Sequence, residues 1–292
     1  MNPSVATALD LETLRCWPLP PLAHDADKEA RGRIVVIAGS REIPGAAVLA
    51  GTAALRTGAG KLMIATAASV ATQMALRMPE ARVIALPEGT GGAFSLEGVP
   101  LLAENLEAAD AVVIGPGMMH EEASSRFVSA LLPALAGSAV VLDAVAMNVV
   151  RLQQRFEHPM LLTPHAGEMA HLTGATKEQV VADPQATVLA AAQRWNAVVA
   201  LKGAVTWIAA PDGRLWRHDG GNTGLATSGS GDTLAGGIGG LAARGATLVQ
   251  AGAWGVVLHA RAGAQLSKRL GPVGFLAREL PLEMLAVLGS LG

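Results

Sequence analysis

The stretch RIVVIAGSREIPGAAVLAGTAALRT, residues 33–57, decides the fold class of this 292-residue chain. It opens with a predicted strand over 33–38, whose apolar run at 34–38 has the length and β-branched residues typical of a buried strand. The run ends at Gly39 and Ser40, and an Ala- and Leu-rich segment over 44–57 follows, with Pro44 where helices often start. The stretch therefore predicts a strand, a loop and a helix, in that order.

The same pattern recurs along the chain. Short apolar runs lie at 62–65, 82–86, 111–114, 139–142, 160–162 and 197–201, and most precede helix-compatible sequence. Such alternation predicts an α/β three-layer sandwich, with a mainly parallel sheet covered by helices on both faces. Two further runs flank Pro211-Asp212-Gly213 and predict a β-hairpin near 204–217. After the hairpin, helices are expected over 232–244, 248–267 and 280–288.

The domain organisation is simple. Residues 1–30 are rich in proline and end in a run of charges, so we expect an irregular N-terminal arm. No repeat or linker divides 31–292, which we expect to form a single domain, within the size range of large α/β sheets.

Composition excludes several classes of protein. Apolar residues make up 51% of the chain and charged residues only 16%, against roughly 25% in typical soluble domains, which suits a sheet buried on both faces. The mean hydropathy is +0.38, but the longest stretches without a formal charge, 127–142 and 245–260, span 16 residues. A membrane-spanning helix needs about 20, so we expect none.

Charge and cysteine content indicate small-molecule partners in a reducing cytoplasm. The formal net charge is −2 and the basic residues form no cluster, so binding to nucleic acid or to a membrane is not expected. The sole cysteine, Cys16, excludes an internal disulfide, and the N-terminus has no basic region typical of an export signal.

Ligands of open α/β sheets bind beyond the carboxyl ends of the strands, so the segments of interest are 39–46, 115–117, 163–168 and 221–232. Two well-known glycine motifs are absent. Gly58-Ala59-Gly60-Lys61 has Leu55 and Leu62 where a P-loop needs glycine and a hydroxyl residue, and the glycines at 229–231 lack the third glycine of a dinucleotide fingerprint.

The segment Gly229-Ser230-Gly231-Asp232 is the most informative. Small residues ahead of an apolar helix let backbone N–H groups and the helix dipole converge on an anion, as in a phosphate site. Asp232 is then either a simple helix cap or a base that takes a proton from a hydroxyl as it attacks phosphorus. The dipole would favour the charged form of Asp232 and make it a weak base, whereas a bound phosphate would raise its pKa.

With these residues assembled, the chain resembles the NAD(P)H-hydrate dehydratase family, which has a ribokinase-like fold. The resemblance covers about residues 31–288 and rests on motifs in a specific order: IAGS at 37–40 with PGA at 44–46, AALRTGAG at 53–60, IGPG at 114–117, VLDA at 141–144, LTPHAGEM at 162–169, LKG at 201–203, and 221–232.

The resemblance implies a repair reaction. ADP or ATP, with Mg²⁺, phosphorylates the hydroxyl of hydrated NADH or NADPH, and departure of phosphate restores the ring double bond. Asp232 would be the catalytic base. The other implied residues are Lys202, Gly203, Ala204, Val205, Thr206, Gly229, Ser230 and Gly231 for the nucleotide, and Ala46, Gly117, His165 and Asn222, together with Asp232, for the hydrated dinucleotide; no metal site made by the protein is implied.

Individual residues have simpler explanations. His165 could bond only local backbone, Lys202 could be an exposed strand terminus, Gly117 a turn glycine, and Glu168 a charge complementing a helix dipole. The chain also departs from the family pattern. Val145 replaces a carboxylate, Met118-Met119 adds bulk expected near the nicotinamide, Thr223 replaces proline, and Ser228 and Ser230 stand where glycine and threonine are usual.

Two other functions stay open from the sequence. One is a small-molecule kinase of the same fold, resembling hydroxyethylthiazole kinase, and the other is a nucleotide-binding protein without catalysis. Many relatives carry a fused epimerase domain, whereas about 30 residues precede the first strand here, so we expect the epimerase to be a separate protein. We also expect a homo-oligomer.

Overall fold

The computed structural model describes residues 5–21, 25, 27–89 and 91–291. Within them, ten strands form one sheet in the order β1-β10-β9-β8-β7-β6-β5-β2-β3-β4. The strands are β1 (Thr7–Ala8), β2 (Arg33–Ile37), β3 (Lys61–Ala67), β4 (Ala81–Leu86), β5 (Ala111–Ile114), β6 (Ala139–Leu142), β7 (Met160–Leu162), β8 (Ala197–Leu201), β9 (Thr206–Ala209) and β10 (Leu215–His218). Pairing is parallel from β4 to β8, and β9 is antiparallel to both β8 and β10, which confirms the predicted sheet and hairpin.

Helices cover both faces of this sheet. They are α1 (Leu11–Arg15), α2 (Gly45–Arg56), α3 (Ala71–Arg77), α4 (Val99–Glu107), α5 (Glu121–Leu131), α6 (Ala166–Thr173), α7 (Lys177–Ala182), α8 (Pro184–Trp195), α9 (Ser230–Ala243), α10 (Leu248–Leu270) and α11 (Leu280–Gly289). Local sequence sets several of their starts: Asp183 and Thr247 cap α8 and α10 through their side chains, and Pro184 opens α8.

Strand residues alternate between two hydrophobic layers. Ile34 and Val36 of β2 belong to the layer that contains α2, α9 and α10, while Val35 and Ile37 belong to the opposite layer. Successive side chains of a strand point to opposite faces, so a continuous apolar run supplies both layers. This burial on both faces confirms the predicted three-layer sandwich.

The N-terminal segment is more regular than we expected. Residues 1–30 were predicted to be irregular, yet β1 pairs with β10 and Asp10 caps α1 through its side chain. Leu9 and Leu14 are buried, and the ring of Trp17 stacks on that of Trp216 with centroids 6.0 Å apart. Tertiary burial of these apolar side chains orders a segment that its prolines alone would leave irregular. Residues 1–4, 22–24 and 26 of the arm lie outside the described residues.

The packing of α2 against α9 brings two loops together. Helix α9 presents glycines to α2: a Cβ added at Gly236 would lie 2.1 Å from the Ala50 carbonyl oxygen, and one at Gly240 would lie 2.2 Å from that of Ala54. Both contacts advance by four residues in the same direction, so the helices run parallel with their N-termini together. None of the helices described is long and apolar enough to cross a bilayer.

Candidate active site

A cavity of about 730 Å³ opens at the carboxyl ends of the central strands. Of the residues singled out from the sequence, those that line it are His165, Lys202, Gly203, Ala204, Thr206, Asn222, Ser230, Gly231 and Asp232. Ala46, Gly117, Val205 and Gly229 were also singled out but do not line it. The cavity therefore gathers most of the expected nucleotide site and three residues of the expected dinucleotide site, His165, Asn222 and Asp232, while Ala46 and Gly117 lie outside its lining.

Lys202 is the lysine that lines this cavity. It follows β8, and its Nζ donates to Asp143 Oδ1 at 3.2 Å and lies 3.8 Å from Glu168 Oε2. Burial lowers the pKa of the Lys202 ammonium, but the facing carboxylates, Asp143 foremost, outweigh burial and raise it above its usual value. Lys202 is thus a fixed positive charge inside the cavity and not an exposed strand terminus, with only 22% of its side-chain surface exposed.

Asp232 lies in the first turn of α9 and faces this charge. Burial first and the Asp143 carboxylate second raise the pKa of its carboxyl group from 3.8 to about 6, against a smaller lowering by the Lys202 ammonium. Our expectation that the helix dipole would make Asp232 a weak base was therefore wrong, because burial and a like charge outweigh the dipole. A carboxylate with a pKa near 6 is suited to proton transfer near neutral pH.

The turn that opens α9 has the geometry of an anion site. Gly229 adopts a left-handed φ of +86°, which favours glycine. A Cβ added at Gly231 would point into the cavity, 3.4 Å from Lys202 Nζ and 3.9 Å from Asp143 Oδ2. Backbone N–H groups at a helix N-terminus beside a buried cation can receive a phosphate group, and Gly231 leaves the space it would occupy.

A buried histidine, His259, contacts Ser230 in this turn. His259 of α10 has its Nε2 3.0 Å from Ser230 Oγ and 3.1 Å from the Ser230 carbonyl oxygen. Burial lowers the pKa of His259 to about 4, so the ring is neutral at pH 7. Because a carbonyl oxygen only accepts, Nε2 carries the ring proton, and the Ser230 hydroxyl is left to donate into the cavity.

Ala46 and Gly117 lie beside the α9 turn. Gly236 lies against Ala50 and Gly240 against Ala54. Extending this register by one turn toward the N-termini of α2 and α9, we infer that Ala46 lies opposite Asp232. Gly117 has a φ of +66° and packs so closely that an added Cβ would lie 2.5 Å from Ala46 Cβ. Gly117 is thus required by this close approach as well as by its turn. The two residues form a wall beside the catalytic candidate.

His165 occupies the N-cap of α6. Its Nδ1 accepts from the backbone N–H groups of Gly167 and Glu168 at 3.0 and 3.1 Å, and the Glu168 carboxylate accepts from the His165 backbone N–H at 2.8 Å. The local backbone bonds that the sequence allowed are therefore present. His165 nevertheless lines the cavity, with 59% of its side-chain surface exposed. Its backbone forms a parallel β-bridge with that of Lys202.

Asn222 lines the cavity in the segment that follows β10 and is held there by two hydrogen bonds. Its Oδ1 accepts from the Gly224 backbone N–H at 2.7 Å and from the Ser267 hydroxyl at 3.0 Å. The preceding Gly221 donates its backbone N–H to the Ala204 carbonyl oxygen at 3.0 Å. The Gly221 bond ties the segment after β10 to the segment 202–206, whereas Asn222 fixes the turn that follows it and joins that turn to α10.

Sequence reasoning missed the role of Asp143. This residue is 2% exposed, accepts from Thr163 Oγ1 at 2.5 Å as well as from Lys202, and raises the pKa of Asp232. Its position directly after β6 was the available signal, since strand ends supply ligand-binding residues. His259 had no such signal, because it lies inside a long helix.

The departures from the family pattern have local consequences. Val145 is half-buried against the hydrophobic layer that contains Val35 and Ile37, and it supplies no carboxylate. Met118 is 7% exposed and belongs to the same layer, so its side chain lies in the core. Met119 is half-buried and does not belong to that layer, so the expectation of added bulk stays a prediction for Met119.

The family model for NAD(P)H-hydrate dehydratase matches residues 34–284 of this chain. An ADP-dependent (S)-NAD(P)H-hydrate dehydratase of Xanthomonas campestris pv. campestris is 52% identical over 281 residues, 95% of this chain and 94% of that protein. A bifunctional NAD(P)H-hydrate repair enzyme of Moorella thermoacetica is 39% identical over 266 residues, which cover 90% of this chain but 50% of the relative.

Solved structures agree with this assignment. An ADP/ATP-dependent NAD(P)H-hydrate dehydratase of Bacillus subtilis, co-crystallised with ATP and Mg²⁺, superposes with a TM-score of 0.82 at 30% identity and 99% coverage of both chains. A hydroxyethylthiazole kinase of Pyrococcus horikoshii superposes with a TM-score of 0.59 at 18% identity, covering 89% of each chain, and shares the fold alone.

Proposed function

Because this chain belongs to the NAD(P)H-hydrate dehydratase family, we propose that it uses ADP or ATP to return hydrated NADH and NADPH to the reduced dinucleotides. The observation that carries the proposal is the carboxyl group of Asp232, with a pKa of about 6, at the mouth of a phosphate-sized turn that also faces a buried lysine.

The nucleotide occupies the cavity. Its terminal phosphate lies at the α9 N-terminus, where the Gly231 and Ser230 backbone and the Ser230 hydroxyl donate to it. Lys202 neutralises its charge, and Gly203, Ala204 and Thr206 contact the rest of the nucleotide. Asn222, which the sequence assigned to the hydrated dinucleotide, lines the same cavity and is assigned to the nucleotide instead. The residues that line the cavity and the space left open at Gly231 support these assignments.

The hydrated ring lies between Asp232 and the wall formed by Ala46 and Gly117, with His165 at its edge. Asp232 takes the proton from the ring hydroxyl as that oxygen attacks the terminal phosphorus, and the nucleotide leaves one phosphate shorter. The carbon–oxygen bond of the phosphate ester then breaks, inorganic phosphate departs, and loss of a ring proton restores the double bond. Burial of Asp232 keeps its charged form basic enough for this step.

Magnesium fits this site as a companion of the nucleotide. Among the described residues, no group of three potential ligands could hold a metal ion by itself. Mg²⁺ in such sites is usually bound by substrate phosphates with one or two carboxylates, and Asp143 and Glu168 are the carboxylates that line the cavity besides Asp232. When bound, the ion would neutralise charge that develops on the transferred phosphoryl group.

Product analysis tests the function. Pure protein is incubated with hydrated NADH and with ADP or ATP in turn, while reduced-nicotinamide absorbance and free phosphate are measured. We expect both signals to rise in equal amounts. A stable phosphorylated product without recovered absorbance would instead identify a kinase, and tight nucleotide binding without turnover would identify a non-catalytic protein. The homo-oligomer and the separate epimerase stay predictions, to be tested by light scattering and by assay with the other substrate epimer.

A further inference from the structure

The N-terminal arm meets the active-site cavity at the end of β10. His218, the last residue of β10, lines the cavity and is 7% exposed. Its Nδ1 lies 2.7 Å from the Leu9 carbonyl oxygen, and because a carbonyl oxygen only accepts, Nδ1 is the donor. The Leu9 backbone N–H donates in turn to the Arg217 carbonyl oxygen at 2.8 Å. Leu9 is therefore bonded to the end of β10 through both of its backbone groups.

The hydrogen bond to Leu9 holds the ring of His218 from one side. In the part of the chain that the structure describes, the other ring nitrogen, Nε2, is buried and has no hydrogen-bond partner. A buried nitrogen without a partner opposes burial of the ring. The bond to Leu9, and not a second polar contact, therefore keeps the ring in this position.

The unpaired side of the ring faces the segment that follows β10. A Cβ added at Gly220 would lie 2.0 Å from His218 Nε2, so the ring fills the space that a side chain at this position would need. Gly220 lines the cavity, and the next residue, Gly221, donates its backbone N–H to the Ala204 carbonyl oxygen at 3.0 Å. Ala204 lines the cavity as well. A series of contacts thus runs from Leu9 through His218 to the lining of the cavity.

The arm is fixed to the core by contacts away from this cavity. Leu14 is buried, and the ring of Trp17 stacks on that of Trp216. The side chains of Gln250 and Trp254 in α10 donate to the Trp17 carbonyl oxygen at 3.3 and 2.9 Å. These five residues do not line the cavity. The arm therefore offers the end of β10 a partner whose position does not depend on the nucleotide.

We propose that His218 is a positioning residue for the nucleotide, which the Leu9 carbonyl holds in place so that it fixes the segment 218–222 and, through Gly221, the segment 202–206. A segment that is fixed before binding loses less conformational freedom when the nucleotide arrives, so the anchor strengthens binding without touching the nucleotide. This assignment rests on the proposed function, since it takes ADP or ATP to occupy this cavity.

Calorimetric titration with ADP tests the anchor. His218→Ala removes the donor to Leu9, and we expect Kd for ADP to rise about five- to tenfold, as for loss of a hydrogen bond. His218→Asn places an amide N–H close to the position of Nδ1 and should restore Kd to within about twofold of the wild type. In both variants, kcat with saturating ADP and KM for hydrated NADH should change by less than about twofold, because neither variant alters Asp232 or Lys202.

A double-mutant cycle links the arm to His218. Leu9→Ala removes a buried side chain and loosens the bonded carbonyl. It should raise Kd for ADP in the wild-type background but not further in His218→Ala, since the contact is already lost there. Leu106→Ala, at an equally buried leucine of α4 outside the cavity, is the matched control. It should lower the melting temperature and leave ADP affinity unchanged in both backgrounds.

The outcomes separate the possible failures. Unchanged ADP affinity in folded His218→Ala, or equal losses in His218→Ala and His218→Asn, would overturn the anchor. An equal rise in Kd from Leu9→Ala in both backgrounds would also overturn it, because the arm would then act independently of His218. If His218→Ala does not fold, an equal effect of Leu9→Ala and Leu106→Ala on ADP affinity is the result that refutes it. Failure of the wild type to bind either ADP or ATP would overturn the proposed function instead.

Discussion

Lys202 Nζ lies 3.2 Å from Asp143 Oδ1, and this contact joins the ends of β8 and β6 beneath the α9 turn. The pair is partly shielded from water, with 3% of the Asp143 side chain exposed. The two charges act on Asp232 in opposite directions: Asp143 raises the pKa of its carboxyl group and Lys202 lowers it. Burial has the largest effect on the strength of the proposed base, and this residue pair, which need not touch the ring hydroxyl, adjusts it further.

Replacing either member of this pair should move the pH dependence of catalysis in opposite directions. Asp232 must be ionised to accept a proton, so we expect kcat/KM to fall as pH drops through about 6. Asp143→Asn removes the like charge and should shift this midpoint to lower pH. Lys202→Met removes the opposite charge and should shift it to higher pH. Full pH profiles of both variants provide the measurement.

The double variant Asp143→Asn with Lys202→Met is the internal control for that experiment. It removes both charges, so its midpoint should lie between those of the single variants. It also avoids the unpaired buried carboxylate that Lys202→Met leaves, which is destabilising by about 3–5 kcal/mol in buried pairs. Midpoints that move in the same direction in both single variants would show that the pair does not tune Asp232.

Asp232→Asn should abolish dehydration and leave nucleotide binding intact. Asparagine is nearly isosteric but cannot accept the hydroxyl proton, and a positioned base contributes roughly 10²- to 10⁴-fold to the rate. We expect kcat to fall by at least about 100-fold, with ADP affinity preserved or improved because a negative charge near the phosphates is gone. Absorbance recovery and phosphate release measure the loss. A folded variant with more than about a tenth of wild-type turnover would exclude Asp232 as the base.

The stability of Asp232→Asn gives a folding control with a defined sign. The pKa of Asp232 is raised in the folded protein, so the ionised carboxylate opposes folding above about pH 6 and the neutral acid does not below about pH 4. The variant should therefore be more stable than the wild type at pH 8, by on the order of 1–2 kcal/mol after allowance for solvent screening, and equal to it at pH 4. Thermal unfolding at the two pH values compares them.

Gly231→Val should obstruct the phosphate without unfolding the chain. The added side chain would project toward Lys202 Nζ into the cavity and displace no backbone. We expect ADP affinity to fall by at least tenfold while the melting temperature stays within a few degrees. Gly137→Val, at an exposed glycine whose added Cβ meets nothing within 4 Å, is the matched control. Unchanged ADP affinity in folded Gly231→Val, measured by calorimetry, would argue against the phosphate site.

His165 requires a variant that separates its cap from its ring. His165→Ala removes both, and loss of an N-cap costs about 1 kcal/mol. His165→Asn keeps an acceptor for the α6 N–H groups but removes the imidazole. We expect the asparagine variant to keep stability and ADP affinity, yet to raise KM for hydrated NADH several-fold.

Thr176→Ala, which removes the equivalent cap of α7 away from the cavity, calibrates the structural part of the His165 effect. If His165→Asn is kinetically identical to the wild type, the ring serves only as a cap.

The sequence alone predicted the elements that local pattern encodes. The strand at 33–38 was predictable because the spacing of apolar residues along a strand is a property of neighbouring residues. The hairpin was predictable because the conformation of the Pro211-Asp212-Gly213 turn depends on the residues within it. The place of Asp232 at a helix start, after small residues, was likewise readable, and so was its proposed chemistry.

Tertiary structure decided what depends on residues far apart in the chain. The contact of Lys202 with Asp143 spans 59 positions, and that of His259 with Ser230 spans 29. The pKa of Asp232 follows from burial and from Asp143, neither of which its neighbours in sequence reveal. Order in the N-terminal arm likewise depends on Trp216, some 200 residues away in the chain. The local sequence pattern determines the backbone conformation of each element. The pKa of Asp232 and the shape of the cavity depend instead on packing between distant segments, which only the folded chain brings together.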